Sequence, residues 1–390
     1  MRNEESAYLF IMKNKIILVV SSLFLLASCG TNTNVTASSI DVATATTVLK
    51  KAMEAETASD ALGIKASASF AASVDISIPA EMIGAKDSVA LEADAGSSSA
   101  DPITSIKANA ALSDVSVEAM ASGLSATSLS DLKASVVASG SAAFNVEGVS
   151  ASAITGDYAN MKVAAYLDNG NVYADASNAT FIQFGNFIDS LLSSNPTTAS
   201  AGKYLYPNVV SAKSLPVFSE KVKAQVTSGV TETMDQLASY KDYFQTVSYS
   251  DGTFGLNASL KKNDLVSLVA LIAAKSAGSS NVAGGAASTA ALIIQFLNVN
   301  ACDLKITFNE KGLISSSFDL DIGVDTTFGE IYKSIAGASV EVPSAYASLS
   351  EKVALAFKYN VSFLQGKDVV VAFPNTSEYA SGTSSAPLAA

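Results

Sequence analysis

The sequence predicts an α+β protein built on a long antiparallel β-sheet that is covered by helices. Three observations predict this class: long runs in which apolar and polar residues alternate, hairpin-type turn residues between those runs, and a few strongly apolar helical segments. Of the 390 residues, 49% are hydrophobic and 15% are charged, so the chain is long and apolar enough to bury a large core.

The first thirty residues carry the features of an export signal. Lys13 and Lys15 precede an apolar run over residues 16–26, which is shorter than the roughly 20 residues that span a bilayer. The run ends in small residues and a cysteine, in an order that resembles the lipobox of bacterial lipoproteins: Leu26-Ala27-Ser28-Cys29. Met12 is the expected translation start, because the acidic residues before it suit a signal peptide poorly.

This signal divides the chain into four parts. We expect residues 1–28 to be a signal peptide, 29–39 a lipidated cysteine and polar tether, 40–374 a single domain with a helical insert at about 181–300, and 375–390 a disordered tail. Acyl chains on Cys29 would anchor the protein outside the cytoplasm, at the outer face of the cell membrane or at an outer membrane. The alternative is that Cys29 is an ordinary buried thiol in an N-terminal helix.

Alternation with a period of two residues predicts the strands. In residues 64–78 the even-numbered positions are apolar, whereas the odd-numbered positions are mostly Lys, Ser and Asp. The same period runs through 106–112 and shifts phase by one residue before 115–119, which predicts a β-bulge near Ser113 and Asp114. It returns in four further segments: 132–146, 161–176, 314–322 and 353–363.

Glycine-containing turns between these runs predict antiparallel neighbours. Asn169-Gly170 and Asp251-Gly252 are residue pairs that favour two-residue hairpin turns. Gly312 indicates a somewhat longer hairpin loop, and Gly366 indicates a fourth hairpin.

Helical patterns open the domain and recur in its middle. Apolar residues follow helical spacing over residues 41–55, where Asp41 is the expected N-cap. Four further segments are expected to be helical, the last two of them apolar on almost every side and therefore buried: 181–192, 219–240, 263–274 and 289–297.

The composition excludes several classes of function. The chain has no His and no Trp, which excludes His-based catalytic triads, imidazole acid–base chemistry and His metal sites. Its net charge of −12 disfavours nucleic acid as a partner, and its sequence contains no glycine-rich phosphate loop. We expect a protein that is not an enzyme and holds no cofactor. An envelope enzyme that uses carboxylates is the least favoured alternative.

Two smaller features have a structural interpretation. Asp319, Asp321 and Asp325 alternate onto one face of a strand and are expected to face solvent, because their spacing differs from that of a calcium-binding loop. Cys302 is the only cysteine besides Cys29 and is expected to be a small buried apolar residue. No metal site is predicted.

The order of these elements resembles that of the LolA/LppX-type extracytoplasmic lipid-binding proteins. The shared features are a lipobox, a polar tether, an N-terminal helix, a meander of long strands, an inserted helical stretch and closing hairpins; residues 165–173 and 308–314 look like strand pairs of that family. The resemblance covers about residues 40–374. It implies a half-barrel whose concave face holds acyl chains beneath helices, and it carries no binding residue over by motif.

Small side chains on the apolar strand faces are a second reason to expect a ligand. Ala and Ser leave space above a sheet, which helices, a second sheet or a ligand must fill. We expect the protein to bind or carry a hydrophobic ligand such as an acyl lipid; the alternative is a structural or adhesive surface lipoprotein with a filled core. The expected ligand wall consists of one strand and two apolar helices: Phe70, Val74, Ile76, Leu268, Ile272, Ile293 and Phe296.

Replacing Leu268 or Ile293 by a charged residue such as Asp is expected to abolish lipid uptake, because an ionised side chain in an apolar wall would have to lose its hydration. Uptake of a fluorescent fatty acid by the folded variants measures this. Unchanged uptake would show that the two residues lie outside the ligand site.

Overall fold

Antiparallel β-sheet with a few helices makes up most of the structure, in agreement with the alternating sequence pattern. The structure is a computed structural model that describes residues 37–79, 103–148, 153–192, 198–211, 241–265, 267, 296–336, 341–342 and 347–381. The predicted helical segment 219–240 and most of 263–274 and 289–297 lie outside the described residues.

Thirteen strands and three longer helices are described. The helices are α1 (Val42–Ala58), α2 (Ala179–Leu192) and α3 (Phe328–Ala336). The strands are β1 (Ala37–Ser39), β2 (Ala61–Pro79), β3 (Ile103–Ser122), β4 (Lys133–Glu147), β5 (Ile154–Asp168), β6 (Asn171–Ala176), β7 (Gly202–Tyr206), β8 (Gln245–Tyr249), β9 (Phe254–Ser259), β10 (Leu297–Asn309), β11 (Gly312–Thr327), β12 (Ser350–Gln365) and β13 (Ala380–Ser381).

The described strands form two sheets. Ten strands are hydrogen-bonded in the order β10-β11-β12-β2-β3-β4-β5-β6-β7-β13, and β1, β8 and β9 form a three-stranded sheet in the order β1-β8-β9. Neighbours are antiparallel, except that β13 runs parallel to β7. The smaller sheet lies beside the larger one, where the N–H of Leu260 donates to the carbonyl of Cys302 at 2.9 Å.

The central strand β2 confirms the alternation read from the sequence. Its even-numbered side chains from Ile64 to Ile76 are half-buried, whereas Lys65, Ser67 and Ser69 on the other face are exposed. The predicted bulge is also confirmed, because the β3–β4 register shifts between Ser113 and Ser116. Asp114 has a φ of 52° at this point.

The turn predictions are confirmed for three hairpins and wrong for a fourth. Asn169-Gly170 and Asp251-Gly252 join β5 to β6 and β8 to β9, with Gly170 at φ 77° and Gly252 at φ 81°. The predicted hairpin at Gly312 joins β10 to β11, with Gly312 at φ 151°, but its loop is shorter than expected because Asn309 pairs directly with Gly312. No hairpin follows Gly366: β11 and β2 already occupy both sides of β12, so a returning strand has no partner there.

The N-terminal helix α1 forms as predicted and packs on the sheet. Asp41 caps it, its Oδ1 accepting a hydrogen bond from the N–H of Thr44 at 2.8 Å. The buried residues of α1 recur at helical spacing and contact β9, β10 and β11 in one cluster. That cluster consists of Ala45, Val48, Leu49, Ala52, Met53, Leu256, Ile306, Phe308 and Leu313.

Both ends of the expected domain are corrected. The polar tether was expected to reach residue 39, but residues 37–39 form β1 and pair with β8. The tail was expected from residue 375, but residues 369–381 run as a segment that we call the C-terminal strap. Within it, Phe373 lies 5.9 Å from the ring of Tyr166, Tyr379 lies 5.5 Å from that of Tyr173, and Tyr379 is 7% exposed. These two aromatic contacts give the strap a buried anchor that its Ser- and Thr-containing sequence does not reveal.

A buried carboxylate connects the end of α1 to the sheet. Glu56 is 6% exposed, and its Oε1 accepts hydrogen bonds from the N–H of Leu313 at 3.1 Å and from the side-chain amide of Gln365. Leu313 follows the β10–β11 turn and Gln365 ends β12, so one side chain links three elements. Burial raises the pKa of the Glu56 carboxyl, and the two hydrogen bonds oppose that rise.

Glu56→Ala is expected to lower the free energy of unfolding by about 1–3 kcal/mol, because the buried N–H of Leu313 loses its acceptor. Glu56→Gln keeps an acceptor oxygen and removes the charge. Because the pKa of Glu56 is higher in the folded than in the unfolded chain, the protonated form stabilises the fold, and this contribution is lost as the pH rises through the folded pKa. The wild type is therefore expected to lose stability relative to Glu56→Gln between pH of about 4 and about 7.

Urea unfolding at both pH values measures this difference. Glu54→Gln, an exposed change in the same helix, is the matched control for loss of one negative charge. A wild type that gains stability over Glu56→Gln with rising pH would contradict the expectation.

Candidate functional site

One face of the ten-stranded sheet presents a continuous apolar surface at its centre. Residues that pair across antiparallel strands point to the same side of a sheet, so cross-strand rows define this surface. We call it the central strip. It consists of three rows across β12, β2 and β3: Phe357, Phe70 and Leu112; Leu355, Ala72 and Ala110; and Val353, Val74 and Ala108.

Helices α1 and α2 lie on the same face as the central strip, on either side of it. In strand order β10 and β11 stand to one side, where α1 packs on Ile306 and Phe308. β4 and β5 stand to the other side, where α2 packs on Phe144 and Tyr158. The ring of Phe187 in α2 lies 4.7 Å from that of Phe144.

The central strip is only partly covered. None of its nine residues is buried, and Leu112 and Val353 are 38% and 40% exposed. Val136 of β4, on the same face, is 46% exposed. By contrast, Phe308 beneath α1 is 0% exposed. Large apolar side chains in the middle of a sheet are usually buried, so a contiguous set that is half-buried or exposed indicates an interaction surface.

Small side chains make a shallow groove in this strip. In its middle row, Ala72 and Ala110 lie side by side, with Leu355 on β12 and Phe144 on β4 as the flanking partners. Two alanines between larger neighbours lower the surface over a width of two strands. The groove is therefore apolar on its floor and on both sides.

The structure brings together part of the predicted ligand wall. Phe70 and Val74 belong to the central strip, and Ile76 follows in the next row beside Ile106. Phe296 precedes β10, which is separated from β2 by β11 and β12, so it is not beside the other three. Three members of the predicted wall lie outside the described residues: Leu268, Ile272 and Ile293.

Sequence analysis missed Leu112 and Val353 as members of the same surface. Both belong to segments whose alternation was recognised, 106–112 and 353–363. The missing information was strand order, because β12 pairs with β2 across almost the whole length of the domain. The signal that could have found them is the apolar row that each segment presents at every second residue.

Glu351 is a buried acidic residue next to the central strip. It lies two residues before Val353 in β12, on the same face and about 7 Å away along the strand. The residue is 6% exposed; its Oε2 accepts a hydrogen bond from the N–H of Ser77 at 3.3 Å, and its Oε1 has no hydrogen-bond partner. Burial is the main cause of the raised pKa of this carboxyl; the Ser77 N–H opposes the rise and Asp75 adds to it.

A threonine and a second acidic residue stand beside Glu351. Thr326 is its cross-strand partner in β11 and is buried. The hydroxyl of Thr326 donates to Oε2 of Glu330 in α3 at 2.5 Å. The region where β11 ends and β12 begins is therefore acidic on the face that carries the central strip.

The opposite face of the sheet is polar and carries cross-strand ion pairs. These pairs join Lys65 to Glu118, Lys107 to Asp75, Lys352 to Asp325 and Lys358 to Asp319, at 3.3, 3.4, 3.3 and 2.8 Å. Their side chains are largely exposed, so each pair contributes at most about 1 kcal/mol.

The three aspartates of β11 lie on this polar face, as predicted. Asp319 and Asp325 are paired with lysines, and Asp321 accepts a hydrogen bond from the amide of Asn300 at 3.1 Å. Within the described part of the chain, no group of three potential metal-binding side chains occurs.

Two shallow cavities are lined mainly by residues outside the central strip. One, of about 420 Å³, lies on the polar face over a row of alanines that pair across four strands: Ala356, Ala71, Ala111 and Ala143. The other, of about 400 Å³, lies between the β8–β9 hairpin and β10 and is lined by Asp242, Asp264 and Asp303 among others. The first has a mostly apolar floor of small residues, to which Ala72 and Ala110 of the central strip also contribute, and the second has an acidic wall.

Cys302 is buried on the apolar face of β10, which confirms its predicted role as a small apolar residue. Burial, and to a smaller extent the charge of Asp303, raises the pKa of its thiol. A buried thiol of raised pKa is a weak nucleophile at neutral pH, in keeping with a packing role for Cys302.

Comparisons with protein-family models, with curated proteins and with solved structures found no match to this chain. Among the described residues, no helix combines the length and the apolar character needed to cross a membrane.

Proposed function

We propose that this chain is a lipid-anchored extracytoplasmic protein that binds or carries a hydrophobic ligand, such as an acyl lipid, on the central strip. The observation that carries the proposal is that nine apolar residues at the middle of the sheet are all unburied while the same face is tightly packed beneath α1. In this proposal the sheet is a half-barrel, the central strip lies on its concave face, and the helices pack on that face around the ligand.

The size of the hydrophobic effect supports an acyl chain as the occupant. Each methylene group that leaves water contributes about 0.8 kcal/mol, so a chain of about twelve carbons gains on the order of 10 kcal/mol before the cost of association. The groove over Ala72 and Ala110 offers an unbranched chain close contact, because no large side chain lies between them.

The proposed anchor places this surface near a membrane. Residues 30–36 separate Cys29 from β1, and seven extended residues span at most about 25 Å. Cys29 would therefore hold β1 within about 25 Å of the membrane surface. The lipobox sequence supports this part of the proposal.

Leu112→Asp is expected to reduce ligand binding at least tenfold, because it places a charge in the central strip at a site exposed enough to leave the fold intact. The matched control is Ser116→Asp, an exposed change on the same strand but on the opposite face. The protein is residues 30–390, which contain every described residue. Native mass spectrometry detects lipid that copurifies, and fluorescence of N-phenylnaphthylamine gives the affinity.

Equal binding by wild type, Leu112→Asp and Ser116→Asp would exclude the central strip as the site. A clean apo mass that persists after incubation with membrane lipids, together with no dye binding, would favour the alternative function, a structural or adhesive surface lipoprotein.

The anchor has a separate test. Cys29→Ala in the full chain, expressed in a bacterium, is expected to abolish metabolic labelling with palmitate, because the thiol that would be acylated is lost. Cys302→Ala is the matched control and should leave labelling unchanged. Labelling that survives Cys29→Ala would contradict lipidation at this residue.

A further inference from the structure

We infer that the ligand of the central strip is an amphiphile whose head group carries a hydrogen-bond donor, a hydroxyl or an ammonium group, and that Oε1 of Glu351 accepts this bond. The inference rests on the proposed function and deepens it by naming the chemistry of the ligand's head.

Oε1 of Glu351 has no hydrogen-bond partner among the described residues of the protein. Buried polar side-chain atoms nearly always have a hydrogen-bond partner, because a buried oxygen without one loses its interaction with water and gains nothing in return. Glu351 has one oxygen on the N–H of Ser77 and the other on no protein group. A donor from outside the protein is the partner that this oxygen lacks.

Glu351 lies at one end of the central strip, next to the row that contains Val353. Val353, the next residue of β12 on this face, is 40% exposed and pairs with Val74. From Glu351 to Phe357 the strand covers six residues, or about 20 Å. An amphiphile with its head at Glu351 would therefore lay its chain along the three rows of the central strip.

Two acidic residues lie near Glu351. Glu330 lies across Thr326, and Asp75 lies close enough to raise the pKa of Glu351. Two lysines at this end, Lys107 and Lys352, are paired with Asp75 and Asp325 on the polar face, and Lys333 lies one turn after Glu330 in α3. Acidic surroundings repel a phosphate or carboxylate head and attract an ammonium or hydroxyl donor.

The experiment compares amphiphiles that share a twelve-carbon chain and differ in the head. Dodecanol and dodecylamine donate a hydrogen bond, whereas methyl dodecanoate only accepts. Each probe displaces N-phenylnaphthylamine from residues 30–390 below its micelle concentration. At least one donor probe is expected to act at about a threefold to tenfold lower concentration than the ester, the effect of one hydrogen bond. Dodecanol alone would identify a hydroxyl head, and dodecylamine alone an ammonium head.

Glu351→Gln tests the residue. If its amide oxygen stays on the Ser77 N–H, its amide nitrogen faces the ligand, so the preference for donor heads is expected to disappear or reverse. Glu118→Gln, the same substitution at an exposed site on the polar face, is the matched control and should keep the preference. Circular dichroism confirms folding, and Glu351→Asp, which withdraws the carboxylate by one methylene, is expected to give an intermediate preference.

The outcomes separate the two proposals. Equal displacement by all three probes in the wild type, or a preference unchanged in Glu351→Gln, would overturn the role of Glu351 while the binding itself supports the proposed function. Displacement by none of the probes would overturn the proposed function, and this inference with it. The wild-type comparison remains decisive if the Glu351 variants do not fold.

Discussion

The alternation of β2 is the constraint on which the rest of the structure depends. This strand pairs along most of its length with β12 on one side and β3 on the other, so the direction of its apolar side chains fixes the apolar face of its neighbours. A slip of one residue in either register would turn one strand's apolar set to the wrong face. The bulge at Asp114 shows how strictly this holds: the pattern of β3 changes phase there, and an extra residue restores the common face.

A sheet with one apolar face must cover that face, and this one is covered unevenly. At the β10–β11 side, α1 packs closely and is tied down by the buried Glu56; at the β4–β5 side, α2 stacks its aromatic rings on the strands. Between the helices the rows are rich in alanine and stay unburied. The apolar face is thus tightly covered on both sides and lightly covered in the middle. A groove between two well-packed helices keeps its shape, as a binding groove must.

The sequence was sufficient for local structure and insufficient for long-range pairing. Alternation predicted β2, β11 and β12, the phase shift predicted the bulge, and Asp41 predicted the start of α1, because each depends on residues close together in the chain. The supposed hairpin at Gly366 was wrong because the neighbours of β12 could not be known. The membership of the central strip was predicted only in part for the same reason: Val353 joins Val74 through a register that spans most of the domain. Glu351 gave no signal, since burial of an acidic residue follows from its surroundings rather than from its pattern.

The pairing of the C-terminal strap with β7 has a consequence for how copies of this protein meet. Outermost strands with free N–H and C=O groups are templates for sheet extension between molecules. Here β13 occupies part of β7, with Lys203 paired to Glu378 and Asp175, and β9 lies along β10 at the other end. At one end of the ten-stranded sheet, β13 and the paired Lys203 protect the edge. At the other end, the three-stranded sheet covers it. Both arrangements act against aggregation. The described ends of the large sheet therefore offer little exposed backbone for joining the sheets of two copies.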